Sequence, residues 1–152
     1  MIQWQVLSFN DIDNQLLYQI LKLRVDVFVV EQECAYPELD GNDYAEGVYH
    51  LVGISNQRVI AVARLLPAGI TYPAISIGRV VVCPSARKHA MGHQLMAKAI
   101  TECQRLWPNE PIEIGAQAHL QNFYRQHGFE PISDPYLEDG IPHIDMRRVL
   151  TA

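Results

Sequence analysis

The plainest chemical signal in the chain is the run Arg87, Lys88, His89, Ala90, Met91, Gly92 and His93. It follows a β-branched stretch, Val80, Val81 and Val82, with the composition of a strand covered on both faces. It precedes a segment in which Leu95, Met96, Ala99, Ile100, Cys103 and Leu106 recur at helical spacing. Pro84 cannot extend the strand, so the strand ends at Cys83 or Pro84 and a helix begins near Met91 or Gly92. Unpaired backbone N–H groups, a positive helix end and two cationic side chains then converge on one spot. The chemistry they offer is anion binding, most naturally of a pyrophosphate.

A second group sits upstream. Residues 31–49, EQECAYPELDGNDYAEGVY, are acidic, contain Pro37, Gly41 and Gly47, and show no period. Loops of this length within a compact domain are functional or disordered, and Tyr36, Tyr44 and Tyr49 favour an ordered wall facing substrate. Asp40, Asp43 and Glu46 can hold a cation; equally, the segment reads as a solvated acidic loop with Asp40-Gly41 as a turn. Arg24, one helical turn from Phe28, interrupts an apolar face and has the bland reading of an arginine snorkelling from a half-buried position. His89 and His93, four residues apart, match the spacing of a two-ligand metal pair. No third ligand is identifiable and His89 precedes the regular helix, so no metal is expected.

These residues need a scaffold, and the patterning supplies one. Residues 4–7 read as a first strand, and a helix capped by Asp13 or Asn14 runs towards Val30 with Leu16, Leu17, Ile20, Leu21, Val25 and Phe28 on its apolar face. Residues 50–54 and 59–66 read as an antiparallel hairpin that leads into the central strand, residues 75–82. After the central helix, residues 112–116 form a short strand parallel to the central one, because the return passes through a helix. A short helix over residues 118–127, ended by Gly128, precedes a strand from Phe129, a turn at Asp139-Gly140 and a closing strand. The fold class is therefore α/β of the α+β type: a mixed, mostly antiparallel central sheet flanked by helices.

The 152 residues, 49% of them hydrophobic, fit one domain over 1–152 with a sizeable core. A net charge of −5 argues against general nucleic-acid or anionic-membrane binding and leaves room for a local basic pocket. No leader pattern or membrane-spanning run is visible, which points to the cytoplasm. Cys34, Cys83 and Cys103 suggest neither a disulfide framework nor a zinc site; buried thiols are the default, least firmly for Cys34. Oligomeric state is not legible, and a homodimer is compatible with the chain.

The order strand, RKHAMG, amphipathic helix, short strand and then QAHLQNFYRQHGF resembles the core of the GCN5-related N-acetyltransferase (GNAT) superfamily. That signature is Arg or Gln, two residues, Gly, any residue, Gly or Ala, followed later by a short helix ending in Tyr and a GF pair. Ala90 stands where the first glycine is usual, which implies a loop without positive φ there. With VFVVEQ, ARLLP, AQAHLQNFY and EDGIPHI included, the whole chain resembles the ElaA-like branch of the superfamily.

The resemblance implies acetyl-CoA as co-substrate, bound in a splay between the central strand and the strand after the helix. Arg87, Lys88, Ala90, Met91, Gly92 and His93 would take the pyrophosphate. The backbone of Val80 and Val82 would take pantetheine, with Gln117 where relatives carry an Asn that contacts it. Tyr124 would be the acid for the departing thiolate, its alternative being a core aromatic beside Phe123, and the Val80 N–H would polarise the thioester carbonyl. For the base, Glu31, Glu113, His119, His143 or a water chain stay open. The acceptor would be a small-molecule or protein amine. Arg24, Phe28, Asp40, Asp43 and Arg64 also occur in an order similar to the amino-terminal motif of acyl-homoserine lactone synthases, with Cys34 where that family has Trp. They are read as a substrate-side scaffold in which Arg24 and Arg64 knit the acidic loop to the sheet, or as ordinary ion pairs. A coenzyme A sensor without turnover is the non-enzymatic alternative.

Overall fold

The computed structural model describes residues 1–149; residues 150–152, the end of the expected domain and of its tail, lie outside the described residues. Strands β1 (Gln3–Ser8), β2 (Tyr49–Ser55), β3 (Arg58–Leu66) and β4 (Ser76–Val82) form an antiparallel sheet in chain order. The β2–β3 hairpin closes through Asn56 and Gln57, both left-handed at φ 51° and 64°. A two-residue turn needs that conformation to match the right-handed twist of its strands.

The continuous apolar run of β3 has a direct cause, because both faces of this sheet are covered. Val52 and Val62 pack with Ile20, Leu23 and Val27. Leu51, Ala63 and Leu65 pack on the other side with Leu95, Met96 and Ala99 of α2 (Met91–Leu106). The first helix, α1 (Asn14–Val25), starts at Asp13, whose carboxylate accepts the Leu16 N–H at 2.8 Å. Its winding continues to Glu31, but Asp26–Glu31 widens into a π-turn that the apolar spacing does not reveal.

The second sheet places β8 (Ile141–Arg148) beside β5 (Ile112–Gln117), and β8 also pairs with β6 (Glu130–Pro131) and β7 (Tyr136–Glu138), all antiparallel. The expected parallel contact between β4 and β5 is present but brief: an Ile75–Ile112 bridge in which the Glu113 N–H donates to the Ile75 carbonyl at 2.9 Å. Past that bridge the two strands belong to separate sheets. The architecture is the mostly antiparallel α/β arrangement expected, split in the middle.

Helix α3 (Gln121–Arg125) follows a tight turn, Ala118–Leu120, and stops at Gly128. Gly128 has φ 88°, and its N–H and that of Phe129 return to the Arg125 and Tyr124 carbonyls at 3.0 and 3.2 Å. The thiols differ from expectation. Cys103 is buried in the α2 interface, but Cys34 and Cys83 are half-exposed, Cys83 because β4 ends at the split rather than inside a layer. Among the described residues no helix is long and apolar enough to cross a membrane.

Candidate active site

The split between β4 and β5 opens a cavity of about 630 Å³. Val80 and Val82 line it from one strand, and Gly115 and Gln117 from the other. A β-bulge in β4 shapes its first wall. Val62 pairs with Val81 and Arg64 with Gly78, so Arg79 and Val80 together face Ala63. The extra residue reverses the strand's phase: Ile77 packs with α2, whereas Val81, an even number of residues on, packs with α1. It also takes the Arg79–Val80 backbone out of the ladder. Arg79 holds the bulge at φ 50°, a conformation that costs a non-glycine residue about 1–2 kcal/mol. Its guanidinium is gripped from the acidic loop: Nη2 donates to the Glu38 carbonyl at 2.9 Å and lies 3.3 Å from Asp40 Oδ2, and Nε is 2.8 Å from Glu38 Oε1.

The start of α2 forms the facing wall. His89 and Ala90 are both left-handed, at φ 56° and 55°. The expected absence of positive φ at Ala90 is thereby corrected: the loop must turn sharply to enter α2 whatever residue stands there, and alanine bears the strain that glycine would avoid. The Met91 N–H is taken by the Lys88 carbonyl at 3.2 Å. Gly92 and His93, in the first turn, have no intrahelical acceptor for theirs, and both residues line the cavity. Gly92 leaves space rather than turning the chain, since a Cβ there would sit 3.5 Å from the Phe123 ring.

Arg87 reaches the cavity but is engaged. Nη1 and Nη2 donate to the two Glu31 carboxylate oxygens at 2.6 and 2.8 Å, and Nε donates to the Val82 carbonyl at 3.1 Å. The Arg87 hydrogen bond holds the Glu31 carboxyl below its usual value against a small opposing burial effect. Glu31 thus lies at the cavity, on the π-turn, while Lys88 is exposed and not on the wall. Gln117 Nε2 donates to Gln32 Oε1 at 3.2 Å, joining β5 to the residue after the π-turn. Tyr124 is 9% exposed and lines the cavity, and burial alone pushes its phenol up to about 12. Its ring also packs edge-on against Phe123 and Phe129, so the core-aromatic and cavity readings both describe it.

The acceptor-side residues separate. Arg24, Asp40, Asp43 and Arg64 do not line the cavity; they form a network behind it in which Arg24, Asp43 and Arg64 are buried and Asp40 reaches solvent. Arg24 is fully buried and bonds Glu38 Oε2 at 2.6 Å and Asp43 Oδ1 at 2.7 Å, so it does not snorkel. Arg64 forks onto Asp40 at 2.9 and 2.8 Å and reaches Asp43 at 3.0 Å. Burial opposes the charge on Asp40, but hydrogen bonds from Arg64 and the Asn42 N–H outweigh it and hold the carboxyl well below its usual range. His143 and His119 lie on the cavity wall; Glu113 instead pairs with Arg147 at 3.0 Å.

Sequence reasoning missed Arg79, although a glycine and an arginine inside the run ISIGRVVV signal a break in a two-sided strand. It also missed Tyr72, Tyr136 and Asp145. Both phenols donate to Asp145 Oδ1, at 2.9 and 2.6 Å, an arrangement that joins residues 73 positions apart and has no local signature.

The comparisons with known proteins agree with this geometry. A family model described as acetyltransferase (GNAT) domain matches residues 22–150. The chain is 45% identical over 148 residues to protein ElaA of Escherichia coli K12, covering 97% of each. Crystal structures superpose closely. An acyl-CoA N-acyltransferase from Pseudomonas aeruginosa matches with TM-score 0.93 and 42% identity over 98% of this chain and all of that one. Escherichia coli ElaA gives 0.91 and 44% over 97% and 99%. A wedge between diverging strands, walled by a bulge and a helix start with free N–H groups, thus occurs in a chain that belongs to the GNAT family of acyl-CoA-dependent acetyltransferases.

Proposed function

We propose that residues 1–152 form one cytoplasmic acyltransferase domain that moves an acetyl group from acetyl-CoA to a primary amine by direct attack, with Tyr124 as general acid. The observation that carries this reading is the pairing of two unsatisfied backbone surfaces across one cavity, the unladdered β4 bulge and the first turn of α2. An extended pantetheine can add to the first as a further strand, at Val80 and Val82. A pyrophosphate can sit on the second, at Ala90, Met91, Gly92 and His93, with exposed Lys88 able to reach in from the loop and Arg87 adding charge once it leaves Glu31. Gln117 faces the same gap from β5. The phenol of Tyr124 keeps its proton throughout the physiological range, so the proton is in place when a thiolate departs.

The acyl-homoserine lactone synthase alternative draws less support, because Arg24, Asp40, Asp43 and Arg64 are turned on one another behind the cavity. Thiol release from acetyl-CoA, followed with and without pools of primary amines, tests the transferase reading against both alternatives. Tight coenzyme binding without amine-dependent release would favour a sensor, and release only with an acyl carrier protein and S-adenosylmethionine would favour the synthase. Tyr124→Phe should lower kcat by about 100-fold while leaving coenzyme affinity within about twofold. An unchanged kcat would remove Tyr124 from the acid role.

A further inference from the structure

We infer that His143 Nε2 is the proton acceptor for the incoming amine and that Glu138 seats that amine as an ammonium ion. The inference rests on the transferase reading and names the acceptor half of the same cavity. His143 stands on β8 opposite Gln117, is 8% exposed and lines the cavity. Its Nδ1 lies 2.7 Å from the Ile141 carbonyl oxygen. A carbonyl only accepts, so Nδ1 carries a proton and Nε2 is the ring nitrogen left for the cavity. Nε2 lies 3.5 Å from Glu138 Oε2. A donor must answer Glu138 there, either a proton on the ring or a primary ammonium, whose three N–H groups can reach both Glu138 and Nε2.

The ring is also held. It stacks on Tyr136 at 6.1 Å, and the Tyr136 hydroxyl donates to Asp145, which also receives the Tyr72 hydroxyl. Gly115, opposite Asp145, admits this cluster: a Cβ there would come within 2.5 Å of the Tyr72 hydroxyl. Tyr72, Tyr136 and Asp145 are therefore positioning residues for His143. The other charged groups near it fit a cation site. Glu138 and Asp139 face it from β7 and its turn, Asp145 lies along β8, and Gln117 on β5 is neutral. Arg79 and Arg87, the cationic members of the wall, are matched by Glu38, Asp40 and Glu31.

In the step, Nε2 takes one proton from the ammonium, and the freed nitrogen pair forms the C–N bond as the carbonyl π pair moves to oxygen. Return of that pair breaks the C–S bond, and the thiolate takes the Tyr124 proton. The second proton of the attacking nitrogen restores the phenol through solvent, and His143 releases its proton to bulk. One proton leaves per turnover.

Two measurements decide the matter. With acetyl-CoA and a panel of primary amines (butylamine, cadaverine, spermidine, glycinamide), His143→Gln should lose about 100-fold in kcat/KM at pH 7. That deficit should shrink to a few-fold near pH 10, where the free amine needs no base. A deficit constant across pH, or none, would assign His143 to structure. In parallel, nitrogen-15 NMR of the imidazoles, with coenzyme A bound and butylammonium chloride titrated in, should shift His143 saturably in the wild type and not in Glu138→Gln. No shift at His143 would overturn the seat. Failure of every amine to release thiol from the wild type would count against the transferase reading, while the titration would still decide for or against His143 and Glu138.

Discussion

Two regions of this molecule gather arginines and anion-seeking groups, and they are built in opposite ways. Behind the cavity Arg24 and Arg64, joined by Arg79 from its wall, meet Glu38, Asp40 and Asp43, three positive charges against three negative, with Arg24 and Arg64 withdrawn from water. Every charge there is already answered by a neighbour, so nothing is left to hold a substrate. At the start of α2 the side chains are exposed or occupied, and the unanswered groups are backbone N–H donors on Gly92 and His93. A closed network fixes shape, and here it fixes the bulge through Arg79; an open row of dipoles binds. The richness of a segment in charge is thus a poor guide to which kind it is.

Breaking the closed network gives the largest expected effect. Arg24→Ala takes one guanidinium from Glu38 and Asp43, leaving Arg79 and Arg64 against three carboxylates, and removing one side of a buried ion pair costs about 3–5 kcal/mol. Urea denaturation should show that loss, with a fall in Tm on the order of 10 °C. Lys88→Ala, on the open loop, should stay within about 0.5 kcal/mol. Near-equal effects would erase the distinction between the regions. The network should also fail in acid. Asp40 and Asp43 have folded-state values held below their ordinary 3.8 by Arg64 and Arg24 against burial. Their contribution is therefore full above about pH 4 and is lost as pH falls through the lower folded values. His50 acts earlier: burial lowers its value below 6.5, so the unfolded chain takes up protons that the folded one resists, and stability declines as pH drops below that point. Stability measured from pH 7 to 2 should fall in those two stages, and His50→Gln should diminish the first, which His127, its value also lowered by burial, shares.

The open region was legible in the sequence and the closed one was not, for a physical reason. A strand, a proline, a basic turn and an amphipathic helix are adjacent in the chain, so residues 75–106 announced β4, α2 and the N–H groups between them. Partners in the closed network are 14 to 41 residues apart, from Arg24 and Glu38 to Arg79 and Glu38. Their residue types were visible, but the choice between solvated acidic loop and tied scaffold needed the fold. The bulge, the π-turn and the Tyr72–Asp145–Tyr136 cluster each depend on contacts that no periodicity encodes. Strand pairing within the first sheet, by contrast, followed from short connections, as the β2–β3 hairpin shows.

A bulky side chain at Gly92 tests whether the open region binds through its backbone. Gly92→Leu must displace the Phe123 ring, 3.5 Å from where its Cβ would lie, or enter the cavity. Coenzyme affinity by calorimetry should weaken about tenfold, or about 1.4 kcal/mol, with the thermal transition little changed. Undiminished affinity would move the pyrophosphate site away from the α2 start.

The smallest effect separates strain from binding. Ala90 occupies φ 55° and ψ 38°, where a Cβ costs about 1–2 kcal/mol. Glycine removes that penalty but adds about 0.5–1 kcal/mol of unfolded-chain entropy to be lost on folding. Ala90→Gly should therefore stabilise the protein by about 0.5 kcal/mol net, raising Tm by about 1–2 °C. His89 is left-handed as well, so the two positions together aim the N–H groups that follow. A stabilised variant with unchanged coenzyme affinity would show that the turn is set by its surroundings, with alanine merely tolerated there. A stabilised variant with weaker affinity would show that alanine restricts the loop to its binding-ready conformation, so that the open region, like the closed one, is held in shape before the ligand arrives.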